Sequence, residues 1–213
     1  MNSTLPIVER FHSIQGEGAH VGRSAFFIRL AKCEIACPWC DTKQSWSADR
    51  HPKEKLTDLA KGVVNARING AAFVVITGGE PLHHNLDSLC RLIRKTTATR
   101  KTDAMPIHLE TSGVDPLSGD PDWITLSPKK HAPPKLELIN ACNELKIVIH
   151  QEEDLMFAEN MAKRVKKNTS EQTLLFLQPG WNNKVGGELA LEYVKKHPEW
   201  RLSLQTHKWL GVL

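Results

Sequence analysis

Nowhere in its 213 residues does the chain carry an apolar run near the roughly 20 residues that a membrane-spanning helix requires. Its start, Met1-Asn2-Ser3-Thr4-Leu5-Pro6, lacks the charged region and apolar core of a secretory signal. No membrane association is expected, and a cytoplasmic location is. No repeat, low-complexity stretch or linker divides the sequence, so one domain over residues 1–213 is expected. Cysteine is scarce and odd in number. Five thiols make a poor disulfide framework, and in a reducing compartment they are more often free, metal-bound or catalytic. The net charge is only +4, and basic residues gather only at 91–101 and 163–167, where they read as solvated faces or ends of helices. Direct nucleic-acid binding is not expected; a mild positive bias suits a small anionic substrate.

The apolar fraction of 40% is that of a globular chain with a sizeable core. Short apolar, β-branched runs at 24–31, 71–77, 107–111, 123–127, 145–150, 173–178 and 202–206 read as strands. Helical spacing of apolar residues appears at 53–69, 86–93 and 189–194, while 129–135, with Pro133-Pro134, reads as a loop. Strands alternating with helices predict an α/β fold with a parallel sheet, and continuous runs such as Phe73-Val74-Val75-Ile76 suit strands buried on both faces. A closed eight-unit barrel takes about 250 residues, so an incomplete, partial TIM-like barrel is expected. Polar and glycine-rich residues follow nearly every strand, at the carboxyl ends where such folds place their sites.

Cys33, Cys37 and Cys40 form C-x3-C-x2-C directly after the first of these strands. A [4Fe-4S] cluster has four irons, each seeking an outer ligand, and closely spaced thiolates supply them. Three cysteines leave one iron open for a small-molecule ligand. Taken alone, the triad also fits a zinc site completed by a histidine or Cys90. The remaining cysteines, Cys90 and Cys142, lie in helical apolar patterns and read as buried structural thiols.

The triad with Trp39 before its last cysteine, followed by Gly78-Gly79-Glu80-Pro81, resembles the radical S-adenosylmethionine (SAM) superfamily. That resemblance implies a partial barrel of the radical SAM type, with SAM on the open iron. Reductive cleavage of SAM then yields a 5′-deoxyadenosyl radical that abstracts hydrogen from a substrate. It places the backbone of this turn, with Gly78 and Glu80, near the SAM amino group.

A narrower resemblance covers nearly the whole chain. It rests on Phe11-His12-Ser13-Ile14-Gln15-Gly16-Glu17-Gly18, Phe26-Phe27-Ile28-Arg29-Leu30, Cys40-Asp41-Thr42, Glu110-Thr111-Ser112-Gly113, Ser127-Pro128-Lys129 and Leu204-Gln205-Thr206-His207-Lys208. These segments are similar to the 7-carboxy-7-deazaguanine synthases of the queuosine pathway. Members convert 6-carboxy-5,6,7,8-tetrahydropterin to 7-carboxy-7-deazaguanine with loss of ammonia and need magnesium. The resemblance implies substrate contacts at Ile14, Gln15, Gly16, Arg29, Thr77 and Leu213. It implies SAM contacts at Gly79, Ser127, Pro128, Lys129, Gln178, Pro179, Gly180 and Trp181, and magnesium on Thr42. Supporting roles fall to Glu17, Asp41, Gly78, Glu80, Glu110, Ser112 and His207. A homodimer and a flavodoxin-type electron donor are implied as well.

Two other readings fit part of the pattern. A radical SAM activase of a glycyl-radical partner would share Cys33 to Cys40 and Gly78 to Pro81, but would not need the Gln15 to Gly18 start or Thr42. A zinc-stabilised nucleic-acid-binding module would use the triad and the basic charge, and leaves the polar strand ends unexplained.

Overall fold

In the computed structural model, residues 4–100, 102–168 and 172–213 are described. The strands are β1 (Thr4–Ile14), β2 (Ser24–Leu30), β3 (Lys53–Lys55), β4 (Phe73–Gly78), β5 (Ile107–Thr111), β6 (Trp123–Leu126), β7 (Glu144–Ile149), β8 (Leu174–Pro179) and β9 (Trp200–Leu202). They form one sheet in the order β3-β1-β2-β4-β5-β6-β7-β8-β9. From β2 through β9 every pairing is parallel, whereas β1 joins β2 and β3 antiparallel. Neither end of the sheet closes on the other, which makes the fold the incomplete barrel expected from the sequence.

Alternation along the strands decides what each face does. Ile28, Val74, Ile76, Ile107, Leu109, Ile124, Leu126, Leu145, Ile147, Leu175 and Leu177 face outward into one continuous apolar core. Helices α1 (Leu56–Ile68), α2 (Asp87–Thr97), α3 (Leu136–Ala141), α4 (Glu152–Asn168) and α5 (Lys184–Lys196) cover that face. Leu59, Ala60, Val63 and Ala66 form the buried stripe of α1, and Leu89, Cys90 and Ile93 that of α2. The inner face is different. A small apolar group, Ala25, Phe27, Phe73 and Val75, fills part of it, and much of the rest is polar. Strand β4 is thus buried on both faces, as its apolar run implied.

Two boundaries differ from the sequence expectation in the kind of element formed. Residues 53–55 do not begin the helix; they pair with β1 as a short edge strand, and α1 starts at Leu56. The expected strand at 202–206 is β9 at Trp200–Leu202, after which Thr206–Leu210 forms a short helix, α6. Trp200 sets that register: its indole nitrogen donates to Glu159 at 2.8 Å and its ring is buried. Strand β1 was not foreseen, and of helix α4 (Glu152–Asn168) only the part at 163–167 was read as helical. Of the two basic runs, Lys101 and the side chains of Lys166 and Lys167 lie outside the described residues, as do residues 1–3.

Candidate active site

Register across the sheet lines up polar side chains on the inner face. Glu9 pairs with Arg29 and Arg29 with Thr77; Glu110 pairs with Thr125 and Thr125 with Glu144. Partners in register share a face, so these residues form one row inside the barrel. Glu110 accepts from the Thr77 hydroxyl and from the Gln15 amide, both at 2.9 Å. Arg29 is tied through Nε to Glu9 at 2.7 Å and lies over the Phe11 ring. The ion pair is there, but it lines a cavity. That cavity, of about 680 Å³, opens at the carboxyl ends of the strands and is within the usual range of ligand sites.

The segment after β1 crosses this lumen and closes the gap the sheet leaves open. Gly16 accepts from the backbone and the hydroxyl of Thr206, each at 3.0 Å. Gly18 donates to Ser203, and Ala19 donates to Glu144 at 2.9 Å. Glu17 points inward to Lys146 and accepts from Gln205 at 2.9 Å. Burial pushes the Glu17 carboxyl up, but the adjacent Lys146 ammonium outweighs it and holds the group below the ordinary range. Lys146 is shifted well above the usual lysine value: burial lowers it, and Glu17, Glu110 and Glu144 together prevail. Burial raises Glu144. No Cβ fits at Gly16, where it would stand 2.0 Å from His207 Nδ1.

The cysteine loop leaves β2 at the rim. Cys37 is buried, and Cys33 and Cys40 are half-buried. Burial raises the Cys33 thiol, against which the backbone amides of Ile35 and Ala36 donate to its sulfur; burial likewise raises Cys37. The Thr42 amide donates to Cys40 Sγ at 3.4 Å. Amide donors aimed at thiolates are what a cluster's sulfur ligands use, and the three thiols share one loop with room in front of it. Among the described residues no three His, Cys, Asp or Glu side chains converge as a single metal ion requires.

Gly78 and Gly79 are needed first by the chain itself. A Cβ on Gly78, whose φ is 135°, would sit 2.2 Å from the Leu30 carbonyl, and one on Gly79 would sit 2.3 Å from that of Lys32. Gly79 and Glu80 donate to those same two carbonyls. The Glu80 carboxylate is consumed within the protein: it accepts from Leu82, from the Thr111 hydroxyl and from the amide and hydroxyl of Ser112. It therefore locks the turns after β4 and β5 together.

The remaining expected residues divide as follows. Ser127, Lys129, Gln178, Pro179, Gly180, Trp181, Ile14, Thr42 and Leu213 line the large cavity; Pro128 lies instead on an adjoining cavity of about 450 Å³. Lys129 donates to the carbonyl and hydroxyl of Ser127 at 2.7 and 2.8 Å, and burial lowers its ammonium below the usual lysine value. Gln178 is buried and accepts from Ser203. The Thr42 hydroxyl donates to Asp41 at 3.0 Å, and Asp41 is also ion-paired with Lys208. The Leu213 side chain is exposed at the rim.

Among the cavity-wall groups to which the sequence assigned no site role are Lys146, His150 and Lys208. Lys146 had a signal, since a lone lysine inside the apolar run of β7 is as conspicuous as Arg29 in β2. His150 packs against Trp39 and fills the space that a side chain at Gly180 would need.

Comparison with known proteins agrees with this geometry. The family model for the 4Fe-4S single cluster domain matches residues 14–114, from the end of β1 to just past β5. An open α/β barrel with a cysteine triad beyond its first parallel strand, matched by that model, defines a radical SAM protein carrying a [4Fe-4S] cluster. The chain is 58% identical to the 7-carboxy-7-deazaguanine synthase of Prochlorococcus marinus over the full length of both. It is 47% identical to that of Synechocystis sp., over 98% of this chain and 94% of the relative. The crystal structure of QueE from Escherichia coli superposes with a TM-score of 0.78 at 28% identity, over 95% and 94% of the two chains. The chain belongs to the 7-carboxy-7-deazaguanine synthase family.

Proposed function

We propose that residues 1–213 act as one radical SAM domain that converts 6-carboxy-5,6,7,8-tetrahydropterin to 7-carboxy-7-deazaguanine with loss of ammonia. The observation that carries this is that the cysteine loop and the Arg29, Thr77, Glu110 row open into a single cavity. Cys33, Cys37 and Cys40 would hold the [4Fe-4S] cluster. The backbone at Gly79, with Ser127, Pro128, Lys129 and the segment from Gln178 to Trp181, would hold SAM. When bound, these groups supply a reductive carbon-sulfur cleavage and a radical for hydrogen abstraction, and Mg²⁺ supplies Lewis acidity for the ring contraction.

The chain's own side chains position the pterin. Arg29, steadied at Nε by Glu9, presents its terminal nitrogens to the substrate carboxylate, a two-pronged match. Ile14, Gln15 and Gly16 offer backbone groups along the edge of the ring, and Thr77 and Glu110 bound its other side. Thr42 keeps oxygen lone pairs for magnesium, a hard cation that seeks such ligands, while Asp41 orients its hydroxyl. His207 and Leu213 lie at the mouth. Among the described residues no helix is long and apolar enough to cross a membrane. Family resemblance supports a cytoplasmic homodimer reduced by a flavodoxin-type donor.

The test is to incubate the anaerobically reconstituted protein with SAM, a strong reductant, Mg²⁺ and 6-carboxytetrahydropterin. 5′-Deoxyadenosine and 7-carboxy-7-deazaguanine are then sought by mass spectrometry. Both products together are expected. Neither product, from protein that carries a full cluster and binds SAM, would overturn the substrate assignment.

A further inference from the structure

Two adjacent histidines, His83 and His84, follow the Gly78 to Pro81 turn, and neither belongs to the site described above. Both reach the cysteine loop. His84 Nε2 lies 2.8 Å from the Ala31 carbonyl, and since a carbonyl only accepts, that nitrogen carries the proton. His83 Nε2 lies 3.1 Å from the Glu34 amide, and since an amide N–H only donates, that nitrogen is bare. The proton of His83 is then on Nδ1, which meets Asp115 Oδ2 at 2.5 Å. One ring therefore donates through Nε2 and its neighbour accepts through the same atom. Between the two anchored residues, Ala31 and Glu34, stands Cys33.

The loop has need of such anchors. Lys32 and Ala36 hold φ values of 90° and 52°, a region that residues with a Cβ seldom adopt. A segment in that conformation persists where its surroundings over-determine it. The His83 side chain is only 10% exposed, so the ring that accepts the Glu34 amide is itself held in place by the protein around it.

We infer that His83 and His84 clamp the cysteine loop on both sides of Cys33, and that Asp115 is a positioning residue that sets the His83 tautomer so the ring can accept the Glu34 amide. The inference deepens the functional reading and rests on that loop being the cluster loop. The clamp acts on cluster retention, and through that on the reaction; neither histidine touches substrate in this role.

Anaerobically reconstituted holoprotein, challenged with an iron chelator, tests it through the rate of cluster loss. His83→Leu removes the acceptor and is expected to lose iron about 3- to 10-fold faster, the range one net hydrogen bond supports. His83→Gln returns an acceptor oxygen at the place of Nε2 and is expected to restore the wild-type rate. Asp115→Ala should speed loss in the wild-type background and have no effect beside His83→Gln, because Asp115 acts only through the ring. Nitrogen NMR of the cluster-free chain reads the two tautomers directly, with Nδ1–H expected at His83 and Nε2–H at His84. An unchanged rate in His83→Leu, a His83→Gln variant as leaky as His83→Leu, or Nε2–H at His83 would each overturn the clamp. A wild-type chain that takes up no cluster would sink the functional reading instead, and the tautomer measurement would still decide the clamp.

Discussion

Gly16 and His207 share one space: a methyl group on Gly16 would lie 2.0 Å from the Nδ1 atom of the imidazole. The cavity-lining segment at residues 14–16 is thus seated against α6. Replacing Gly16 by Ala forces His207 or the whole turn to move. A shift of about an ångström in a positioning group can lower turnover about 100-fold, so kcat/KM for the pterin is expected to fall by that order. Overpacking adds a loss of roughly 1–3 kcal/mol in stability. Steady-state kinetics and thermal unfolding check both, and wild-type kinetics would mean that this turn does not bear on substrate.

Glu17 and Lys146 form a buried ion pair, with side chains 15% and 7% exposed. Lys146→Met strands the Glu17 carboxylate among Glu110 and Glu144, and removing one member of such a pair costs about 3–5 kcal/mol. Urea unfolding at neutral pH measures it. Replacing both residues by apolar ones should recover most of the loss.

The same pair shapes the acid limb. Glu17 is held below its ordinary value of 4.5, so the stability it contributes is full above that pH and is lost as pH falls through the folded value. Glu144 is raised, so its contribution has the opposite sign: full below 4.5 and lost as pH rises through its folded value. Glu17→Gln is expected to flatten the fall in stability below pH 4.5, and Glu144→Gln to remove a loss of stability that sets in as pH rises above 4.5. Unfolding free energies measured from neutral to acid pH separate the two.

Burial pushes the Cys90 and Cys142 thiols up to about 12. In native cluster-free protein, iodoacetamide at mildly alkaline pH should label the half-exposed Cys33 and Cys40 and spare those two. Peptide mass mapping reads the order of labelling. Rapid labelling of Cys90 would mean that α2 opens readily.

Thr42 donates to Asp41, and Asp41 answers to Lys208 from the far end of the chain. Thr42→Ala should weaken the magnesium dependence of turnover while SAM binding persists. Titration of activity with Mg²⁺, beside equilibrium SAM binding, distinguishes the two; an unchanged response to magnesium would remove Thr42 from the metal.

Much of the architecture was legible because β4, β7 and β8 carry continuous apolar runs and the triad has a spacing of its own. Strand β1 escaped notice since Pro6, Glu9 and Arg10 interrupt its apolar residues, as an antiparallel strand near the edge of the sheet permits. Strand β9 is only three residues long, too short for any periodicity to place. Within the site, residues that act by type and spacing could be read in advance. Those that act by register could not: Lys146 reaches Glu17 across 129 positions, and Glu80 turns inward to Ser112 only because two strand ends lie side by side. Nothing local in the sequence reports either pairing.

Thr206 fastens Gly16 although 190 positions separate them. During translation the three cysteines are made long before Ser203, Gln205 and Thr206, so a nascent chain can possess its metal ligands while its pocket still lacks a wall. Contacts between such distant segments form late. The wall of the cavity that Thr206 fastens to Gly16 is therefore the last part of it to be synthesised, well after the cysteine loop.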